Sequence, residues 1–342
     1  MQSDPSSEPP ITVSVVVPVY SGADYLAALI KEIERVRTGW SDSGAPLRLV
    51  EAILVDDAAV DSSPEIADEI AREMEWVTVI HLARNFGQHP ATIAGILNTS
   101  GDWIITLDED LQHPPARIED MLRTAVRNGH DIVYANPHSP VHQSHLRDLG
   151  SRLYKRLMQR ITGNSLIASF NSFRLVRGSI ARAASSVCGH DTYFDLSLSW
   201  FTQRVIALPM DLKDQRYIRT KSSGYNFSSL IAHARRMMMS SGARVMRSAS
   251  LLGLMFVGIS VVGGLGLVLY HLLYEATSVL VRGWSSLILA VVFCSGFIIF
   301  LLGIVLEYIA LLVLHAHGKP IFFIVDRRSD AILVDYFSKR PP

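Results

Sequence analysis

The stretch ITVSVVVPVY, residues 11–20, is a run of β-branched residues that ends in Pro18, Val19 and Tyr20. Successive apolar β-branched residues are typical of a strand that is buried in a sheet. We therefore predict a first β-strand over Ile11–Val19, with the polar residues that follow it lying at the strand's carboxyl end.

Patterns typical of helices and strands alternate after this first strand. Ala27, Ile30, Ile33 and Val36 recur at helical spacing, and a Gly/Ser/Pro-containing loop is predicted over residues 38–46. Further strands are predicted over 49–55, 77–82 and 103–107, and further helices over 63–75 and 91–99. This alternation predicts an α/β fold with a parallel sheet covered on both faces, which binds its ligands where the strands end.

The polar residues of the chain are concentrated at these strand ends. They are Pro18-Val19-Tyr20-Ser21, Asp56-Asp57, Arg84-Asn85-Phe86-Gly87-Gln88 and Asp108-Glu109-Asp110-Leu111-Gln112-His113. An acidic cluster by itself is usually a solvated turn. Two carboxylates that follow an apolar strand, one residue apart, can instead hold a hard cation such as Mg²⁺ or Mn²⁺, which would bridge a diphosphate.

The region 251–314 is nearly free of charge. Its charged residues are Glu275, Arg282 and Glu307, and they leave two uncharged runs over 251–274 and 283–306. Each run is long enough to cross a hydrocarbon core of about 30 Å, so we predict two transmembrane helices joined by a short loop. A buried helical hairpin is the alternative, but core helices rarely extend this far without a charge.

Basic residues flank this predicted hairpin on both sides. Arg235, Arg236, Arg244 and Arg247 precede it, and Lys319, Arg327, Arg328, Lys339 and Arg340 follow it. The positive-inside rule then predicts that both termini are cytoplasmic. Residues 1–10 are rich in Ser and Pro without an apolar stretch, which indicates a disordered tail and no signal peptide.

Composition excludes several classes of protein. The 342 residues carry 32 basic and 32 acidic side chains, so no basic excess indicates a nucleic-acid partner. A hydrophobic content of 49% with 19% charged residues is too apolar for an ordinary soluble domain, which indicates that part of the chain lies in lipid. The two cysteines, Cys188 and Cys294, are too few and too distant for a disulfide framework.

Two motifs carry a resemblance to a known family. LARNFGQH at 82–89 and ITLDEDLQHPP at 105–115, together with Gly303-x3-Glu307-Tyr308-Ile309 and Lys319-Pro320, resemble the polyprenyl-phosphate branch of the inverting family-2 glycosyltransferases. The resemblance extends from Ile11 to about Val325. It implies a GT-A catalytic domain, Rossmann-like with a mostly parallel sheet, followed by an interfacial amphipathic helix and the transmembrane hairpin.

The resemblance also implies how a nucleotide-sugar donor is bound. Donor-binding roles fall on Pro18, Tyr20, Asp56, Asp57, Arg84, Gln88 and Asp108, with Arg84 and Gln88 closing the pocket. Asp108 and Asp110, with Gln112, would hold Mg²⁺ or Mn²⁺ on the diphosphate. His89 and His113 are expected to pack or to support the site rather than to ligate, because hard cations prefer oxygen.

An acceptor site follows from the resemblance and from local charge. The acceptor phosphate would be bound by Arg147, Ser151, Arg216, Arg219 and Lys221, and Arg147 joins Asp108 and Asp110 as a catalytic candidate. Residues 216–247 carry seven basic and no acidic side chains, which indicates an amphipathic helix on an anionic leaflet or, alternatively, a positive-inside flank. The loop 219–225 departs from the family pattern, with Lys and Gly exchanged.

A second departure concerns catalysis. The family usually has an acidic residue shortly before its F-R-L block, whereas residues 168–172, before Phe173, contain no carboxylate. A sugar hydroxyl would need a general base to remove its proton. A phosphate monoester, with a second pKa of about 6, is already largely ionised at neutral pH. The absence therefore favours a lipid phosphate as the nucleophile.

Together these observations predict a membrane glycosyltransferase. Its domains would be a tail (1–10), a GT-A domain (11–215), an acceptor loop with a basic juxtamembrane helix (216–250), two transmembrane helices (251–314) and a cytoplasmic end (315–342). It would transfer sugar from a UDP- or GDP-linked donor to a polyprenyl phosphate at the inner membrane, as a homo-oligomer such as a tetramer. A non-catalytic nucleotide-sugar-binding module and a processive polysaccharide synthase are the alternatives; the synthase would need more spans and a Gln-x-x-Arg-Trp motif.

Overall fold

The computed structural model describes residues 9–137, 170–189, 192–210, 284–316 and 320–325, with scattered single positions between 255 and 273. Several predictions fall on other residues. The proposed acceptor ligands Arg147, Ser151, Arg216, Arg219 and Lys221, the juxtamembrane helix and most of the first predicted span lie outside the described residues.

The described strands form one seven-stranded sheet. They are β1 (Ile11–Val19), β2 (Leu47–Asp56), β3 (Val77–His81), β4 (Trp103–Thr106), β5 (Ile132–Pro137), β6 (Arg174–Arg177) and β7 (Val205–Met210), in the order β3-β2-β1-β4-β6-β5-β7. All neighbours are parallel except β6, which is antiparallel to both β4 and β5. The predicted, mostly parallel α/β sheet is confirmed.

Helices cover both faces of this sheet. They are α1 (Leu26–Asp42), α2 (Ser63–Glu73), α3 (Gln88–Leu97), α4 (Ile118–Asn128), α5 (Gly178–Val187) and α6 (Phe194–Phe201), and α7 (Trp284–Ala316) follows at the apolar end of the chain. The predicted loop over 38–46 is wrong in its first half, because α1 continues to Asp42 and buries Trp40. α3 begins at Gln88 rather than at residue 91, since Pro90 is tolerated in a first helical turn.

The interior strand β1 contributes side chains to both halves of the core. Val13, Val15 and Val17 belong to one hydrophobic cluster, shared with α1 and α4, while Val16 belongs to the other, shared with α3, α5 and α6. Alternate side chains of a strand point to opposite faces of the sheet, so this β-branched run packs against helices on both sides.

A buried ion pair connects β5, β6 and α6. The Arg174 guanidinium pairs with the Asp195 carboxylate, and both side chains are almost wholly buried. The Tyr134 hydroxyl donates to Asp195 at 2.9 Å, and the Arg174 guanidinium lies 4.7 Å from the centre of the Phe194 ring. Each charge is tolerated in the core only because the other compensates it.

A histidine connects β3 with two neighbouring elements. His81 Nδ1 lies 2.9 Å from Asp56 Oδ2 at the end of β2, and Nε2 lies 3.1 Å from Asp68 Oδ1 on α2. These carboxylates, Asp56 first, raise the pKa of His81 above its ordinary value. The protonated ring therefore stabilises the contact between β2, β3 and α2.

α7 has the length and composition of a membrane span. Its 18-residue window Phe293–Ala310 has a mean hydropathy of 2.2, and none of that window is buried against the rest of the protein. Among the residues that the structure describes, this is the one helix long and apolar enough to cross a membrane. It overlaps the second predicted span, 283–306.

The chain returns to the sheet directly after α7. The Ala83 amide donates to the Phe323 carbonyl at 2.9 Å, and the Val325 amide donates to the His81 carbonyl at 3.0 Å. Leu82 and Ile324 form an antiparallel bridge. Residues 320–325 therefore cover part of the outer edge of β3, next to its carboxyl end.

Replacing Asp195 by Asn should leave Arg174 charged and without its counterion in the core. We expect the free energy of unfolding to fall by about 3–5 kcal/mol. Asp120→Asn is the matched control, because it breaks the exposed pair with Arg117 at the start of α4 and should cost less than about 1 kcal/mol. Urea unfolding followed by circular dichroism measures both, and equal losses would contradict the assignment.

The His81 contact should make stability depend on pH. Because the folded-state pKa is raised above 6.5, protonation stabilises the fold fully below that pH, and this contribution is lost as the pH rises through the raised pKa. The difference in unfolding free energy between wild type and His81→Gln should thus shrink from about pH 6 to pH 9. Asp68→Asn should weaken this pH dependence, and a difference that stays constant with pH would exclude the mechanism.

Candidate active site

A cavity of about 340 Å³ opens at the carboxyl ends of the central parallel strands. Its lining comes from the segments that follow β1, β2, β3 and β4: Pro18, Val19, Tyr20, Ser21, Asp57, Asn85, Gly87, Gln88, Asp108, Glu109 and Asp110. The predicted convergence of polar strand ends at one edge of the sheet is therefore observed.

Hydrogen bonds to β1 bring two of these segments together. The Asp57 amide donates to the Val19 carbonyl at 2.9 Å, and the Leu107 amide donates to the Val16 carbonyl at 3.0 Å. Asp57 and Asp108 consequently emerge on opposite sides of the end of β1.

Asp57 anchors the loop that follows β3. Its two oxygens accept hydrogen bonds from the Phe86 amide at 2.7 Å and the Gly87 amide at 2.8 Å. Gly87 has a φ of +97°, a conformation that side chains rarely allow, so glycine is needed for its amide to reach the carboxylate. Burial raises the pKa of Asp57, against the lowering effect of these two amide donors.

Asp108 is held by groups from three separate segments. Its Oδ1 accepts from Gln88 Nε2 at 2.7 Å and its Oδ2 accepts from the Ser172 hydroxyl at 2.8 Å. The Asp108 amide donates to His113 Nδ1 at 2.9 Å, and the buried His113 ring stacks on Phe173. This arrangement agrees with the supporting role expected for His113.

Asp110 is oriented by its own turn. Gln112 Nε2 donates to Asp110 Oδ2 at 2.9 Å, and the Gln112 amide donates to Oδ1 at 3.3 Å. Between them Leu111 adopts a left-handed φ of +62°, which is uncommon for a leucine and occurs often at functional sites. The turn therefore folds Gln112 back onto Asp110.

The donor chemistry of this edge fits a hard divalent cation. Asp108 and Asp110 both line the cavity and offer only oxygen. Within the described residues no group of three or more His, Cys, Asp or Glu side chains could hold a metal. A Mg²⁺-type ion is commonly bound by one or two carboxylates together with substrate phosphates and water, so two aspartates suffice.

The structure separates the other predicted donor residues into two groups. Pro18, Tyr20 and Gln88 line the cavity. Arg84 is not among its lining residues and lies with its guanidinium 4.2 Å from the centre of the Phe86 ring. Asp56 is buried behind the cavity, where it accepts from the Ala59 amide at 2.7 Å and contacts His81.

Several residues of the site were not predicted. Val19, Ser21, Asn85, Gly87 and Glu109 line the cavity, and Ser172 holds Asp108. Asn85, Gly87 and Glu109 lie inside the two motifs at 82–89 and 105–115, so their position there was an available signal. Ser172 has no such signal, because its contact with Asp108 joins residues 64 positions apart.

Comparison with known proteins gives a family match and curated relatives. Residues 14–183 match the family model described as glycosyl transferase family 2. The undecaprenyl-phosphate 4-deoxy-4-formamido-L-arabinose transferase of Edwardsiella ictaluri (strain 93-146) is 34% identical over 210 residues, which are 61% of this chain and 62% of the relative. The enzyme of the same name from Klebsiella pneumoniae (strain 342) is 33% identical over 225 residues, 65% of each chain.

Solved structures give weaker likenesses. Mannosyl-3-phosphoglycerate synthase from Rubrobacter xylanophilus is 15% identical with a TM-score of 0.46, over 71% of this chain and 80% of that one. Glucosyl-3-phosphoglycerate synthase from Mycobacterium tuberculosis, crystallised with Mn²⁺, UDP and phosphoglyceric acid, is also 15% identical with a TM-score of 0.46, over 69% and 78%. Likenesses of this size support no functional conclusion.

The chain covers less than two thirds of the length of the curated relatives that it matches. The family match nevertheless takes in the first five strands of the sheet, β6 and the entire cavity lining. Together with the curated relatives it supports the resemblance to the polyprenyl-phosphate branch of glycosyl transferase family 2 that the motifs at 82–89 and 105–115 carry.

Proposed function

We propose that this protein transfers a sugar from a UDP- or GDP-linked donor to a polyprenyl phosphate, with inversion at the anomeric carbon. The observation that carries the proposal is the cavity that unites Asp57, Asp108 and Asp110 at one sheet edge. Support also comes from relatives that are named as transferases acting on undecaprenyl phosphate. The product is a polyprenyl-phosphate monosaccharide on the cytoplasmic leaflet.

The donor's nucleoside binds on the β1 and β2 side of the cavity. Tyr20 is 42% exposed there, and its ring can stack on a base beside Pro18. The Asp57 carboxylate can accept hydrogen bonds from base or ribose, because its lone pairs exceed the two amides that it already binds. Gln88, on the following loop, lines the cavity, whereas Arg84 would have to turn away from the Phe86 ring to reach the donor.

The donor's diphosphate binds on the β4 side. Asp108 and Asp110 would hold Mg²⁺ or Mn²⁺ there, and Gln112 orients Asp110 through its hydrogen bond to Oδ2. The ion, when bound, neutralises the charge that develops on the departing diphosphate. Gln88 and Ser172 keep the Asp108 carboxylate in one orientation, so the binding side chains need little rearrangement when the donor arrives.

The acceptor's chemistry agrees with the residues that precede β6. An oxygen of the lipid phosphate attacks the anomeric carbon while the bond from that carbon to the diphosphate breaks. Phosphate monoesters are largely ionised at neutral pH, so no side chain has to remove a proton. The Asn171 carboxamide oxygen accepts from the Phe173 amide and the Ser172 hydroxyl donates to Asp108, which leaves both residues in supporting roles.

The apolar helix α7 supports a lipid acceptor. The segment that follows α7 pairs with residues 81–83, at the carboxyl end of β3. The cavity opens at the same edge of the sheet, so the segment that follows α7 in the chain reaches the edge that carries the donor site. A lipid phosphate at the membrane interface can therefore approach the donor without leaving the bilayer.

The acceptor site and the membrane anchor are proposed from the sequence alone. Arg147, Ser151, Arg216, Arg219 and Lys221 bind the acceptor phosphate, and the basic segment 216–250 lies on the anionic inner leaflet. A two-helix hairpin over 251–314 anchors the GT-A domain, 11–215, with both termini in the cytoplasm, and the chains form a homo-oligomer.

Asp110→Asn should abolish transfer while the fold is retained. Loss of a metal ligand on the diphosphate should lower kcat/KM by about 10³-fold, which corresponds to about 4 kcal/mol. Transfer of radiolabelled sugar from a panel of nucleotide sugars to undecaprenyl phosphate, with Mg²⁺ or Mn²⁺, measures the effect. Asp42→Asn, on the exposed end of α1 at the opposite edge of the sheet, is the charge-matched control. Turnover near that of the wild type with Mn²⁺ would refute the metal assignment.

Arg147→Ala should weaken the acceptor much more than the donor. Loss of a charged hydrogen bond to phosphate should raise the apparent KM for the polyprenyl phosphate by about tenfold or more, with the donor KM changed by less than about twofold. Arg123→Ala is the control, because it removes an exposed arginine that pairs with Glu119 on α4 and should leave both KM values unchanged. An unchanged lipid KM in Arg147→Ala would count against this acceptor site.

A further inference from the structure

We propose that Glu109 is a positioning residue that fastens the loop after β1 to the loop that carries Asp108 and Asp110. This inference rests on the proposed function, because it concerns how the two halves of a nucleotide-sugar site keep their spacing. Glu109 lies between two proposed metal ligands, yet its side chain accepts hydrogen bonds from the segment that follows β1.

The contacts of Glu109 converge on two successive amides. Its Oε2 accepts from the Tyr20 amide at 2.8 Å, and its Oε1 accepts from the Ser21 amide at 3.1 Å. The Ser21 hydroxyl donates to Oε1 at 3.4 Å. One carboxylate thus bridges the ends of β1 and β4, across 88 or more residues of sequence.

The burial of Glu109 explains why its carboxylate needs these donors. Glu109 is only 8% exposed, and it follows one carboxylate and precedes another. A buried acid beside like charges is unfavourable unless donors compensate it. A pair of metal-binding aspartates one residue apart places no requirement on the residue between them, so the amide pair at Tyr20 and Ser21 explains why an acid is accommodated there.

The neighbouring glycine fits the same interpretation. A Cβ atom added to Gly22 would lie 2.7 Å from Glu109 Oε2 and 3.1 Å from Glu109 Cβ. A side chain at residue 22 would therefore displace the carboxylate. Gly22 is itself anchored, because its amide donates to the Ser63 hydroxyl at 2.9 Å at the start of α2.

The Glu109 bridge holds the Tyr20 backbone from one side, and the loop after β2 holds it from the other. The Tyr20 amide donates to Glu109, while the Tyr20 carbonyl accepts from the Val60 amide at 3.1 Å. In the proposed function the base lies against Tyr20 and the diphosphate against Asp108 and Asp110. Loss of the Glu109 bridge should consequently weaken donor binding more than it slows the chemical step.

The test uses the full-length protein in detergent micelles and four variants: Glu109→Ala, Glu109→Gln, Gly22→Ala and the double variant Gly22→Ala/Glu109→Ala. Hydrogen exchange of the Tyr20 and Ser21 amides is measured without nucleotide. Binding of UDP and of GDP, each with Mn²⁺, is measured by calorimetry, and donor KM and kcat by sugar transfer.

We expect exchange at Tyr20 and Ser21 to be at least about tenfold faster in Glu109→Ala, because both amides lose their acceptor. Nucleotide Kd and donor KM should rise about tenfold, with kcat reduced less than about threefold. Glu109→Gln, which keeps one accepting oxygen, should fall between the wild type and Glu109→Ala. Gly22→Ala should reproduce the Glu109→Ala effects, and the double variant should be no worse than Glu109→Ala alone, since the clash is gone.

Glu51→Gln is the matched control. Glu51 also joins separate segments, through the Ser14 hydroxyl at 2.7 Å and the Ser100 amide at 2.6 Å, but at the opposite edge of the sheet. It should leave exchange at Tyr20 and nucleotide Kd within about twofold of the wild type.

Unchanged exchange at Tyr20 and Ser21 in Glu109→Ala and Glu109→Gln would overturn the proposal, as would full additivity of the Gly22 and Glu109 effects. The exchange measurement needs no ligand. A wild type that binds neither nucleotide would therefore count against the proposed function, while protection of these amides by Glu109 would still support the bridge.

Discussion

The site depends on the burial of β1 at the centre of the sheet. Val13, Val15, Val16 and Val17 have no exposed surface, and β2 and β4 pair with β1 on either side. This pairing continues to the ends of the strands, where the Asp57 amide meets Val19 and the Leu107 amide meets Val16. The apolar core thus determines the distance between Asp57 and Asp108 across the end of β1.

The acidic edge is stable because the chain supplies donors for each carboxylate. Asp57 accepts from two backbone amides of the loop after β3, and Glu109 accepts from two backbone amides after β1. Asp108 accepts from the Gln88 carboxamide and the Ser172 hydroxyl. Such donors offset the cost of burying charge and also fix each oxygen in place. A site assembled in this way is organised before any ligand binds, which is the condition under which electrostatic stabilisation is most effective.

The zero net charge of the chain conceals a strong segregation. Acidic residues gather at the strand ends, basic residues gather over 216–247, and α7 has an apolar surface that is not covered by protein. The short segment 320–325 follows the apolar helix in the chain and pairs with residues 81–83 at the end of β3, where the cavity opens. In the proposed function, a soluble, charged donor and a membrane-bound acceptor meet at this edge of the sheet.

Local pattern predicted much of this architecture. β-branched runs identified β1 to β4, and the polar residues after them identified Asp57, Asp108 and Asp110 as neighbours at one edge. The errors concern two helix boundaries at which the sequence carries a helix-breaking residue. α1 continues past Gly39 because Trp40 is buried in the core, and α3 begins before Pro90 because the first turn of a helix tolerates proline. The direction of β6 was not predictable, since a four-residue buried strand has the same pattern in either orientation.

The sequence by itself determined the class of sheet, the edge at which ligands bind and the oxygen-rich character of that edge, because these follow from period, polarity and the order of strands. Only the tertiary structure decided which carboxylates face the cavity and which support it. Asp56 and Asp57 are adjacent in sequence, yet Asp56 is buried against His81 while Asp57 lines the cavity. Glu109 is likewise distinguished from Asp108 and Asp110 by its bridge to Tyr20 and Ser21. Such roles depend on partners that lie far away in sequence, and only folding brings those partners within hydrogen-bonding distance.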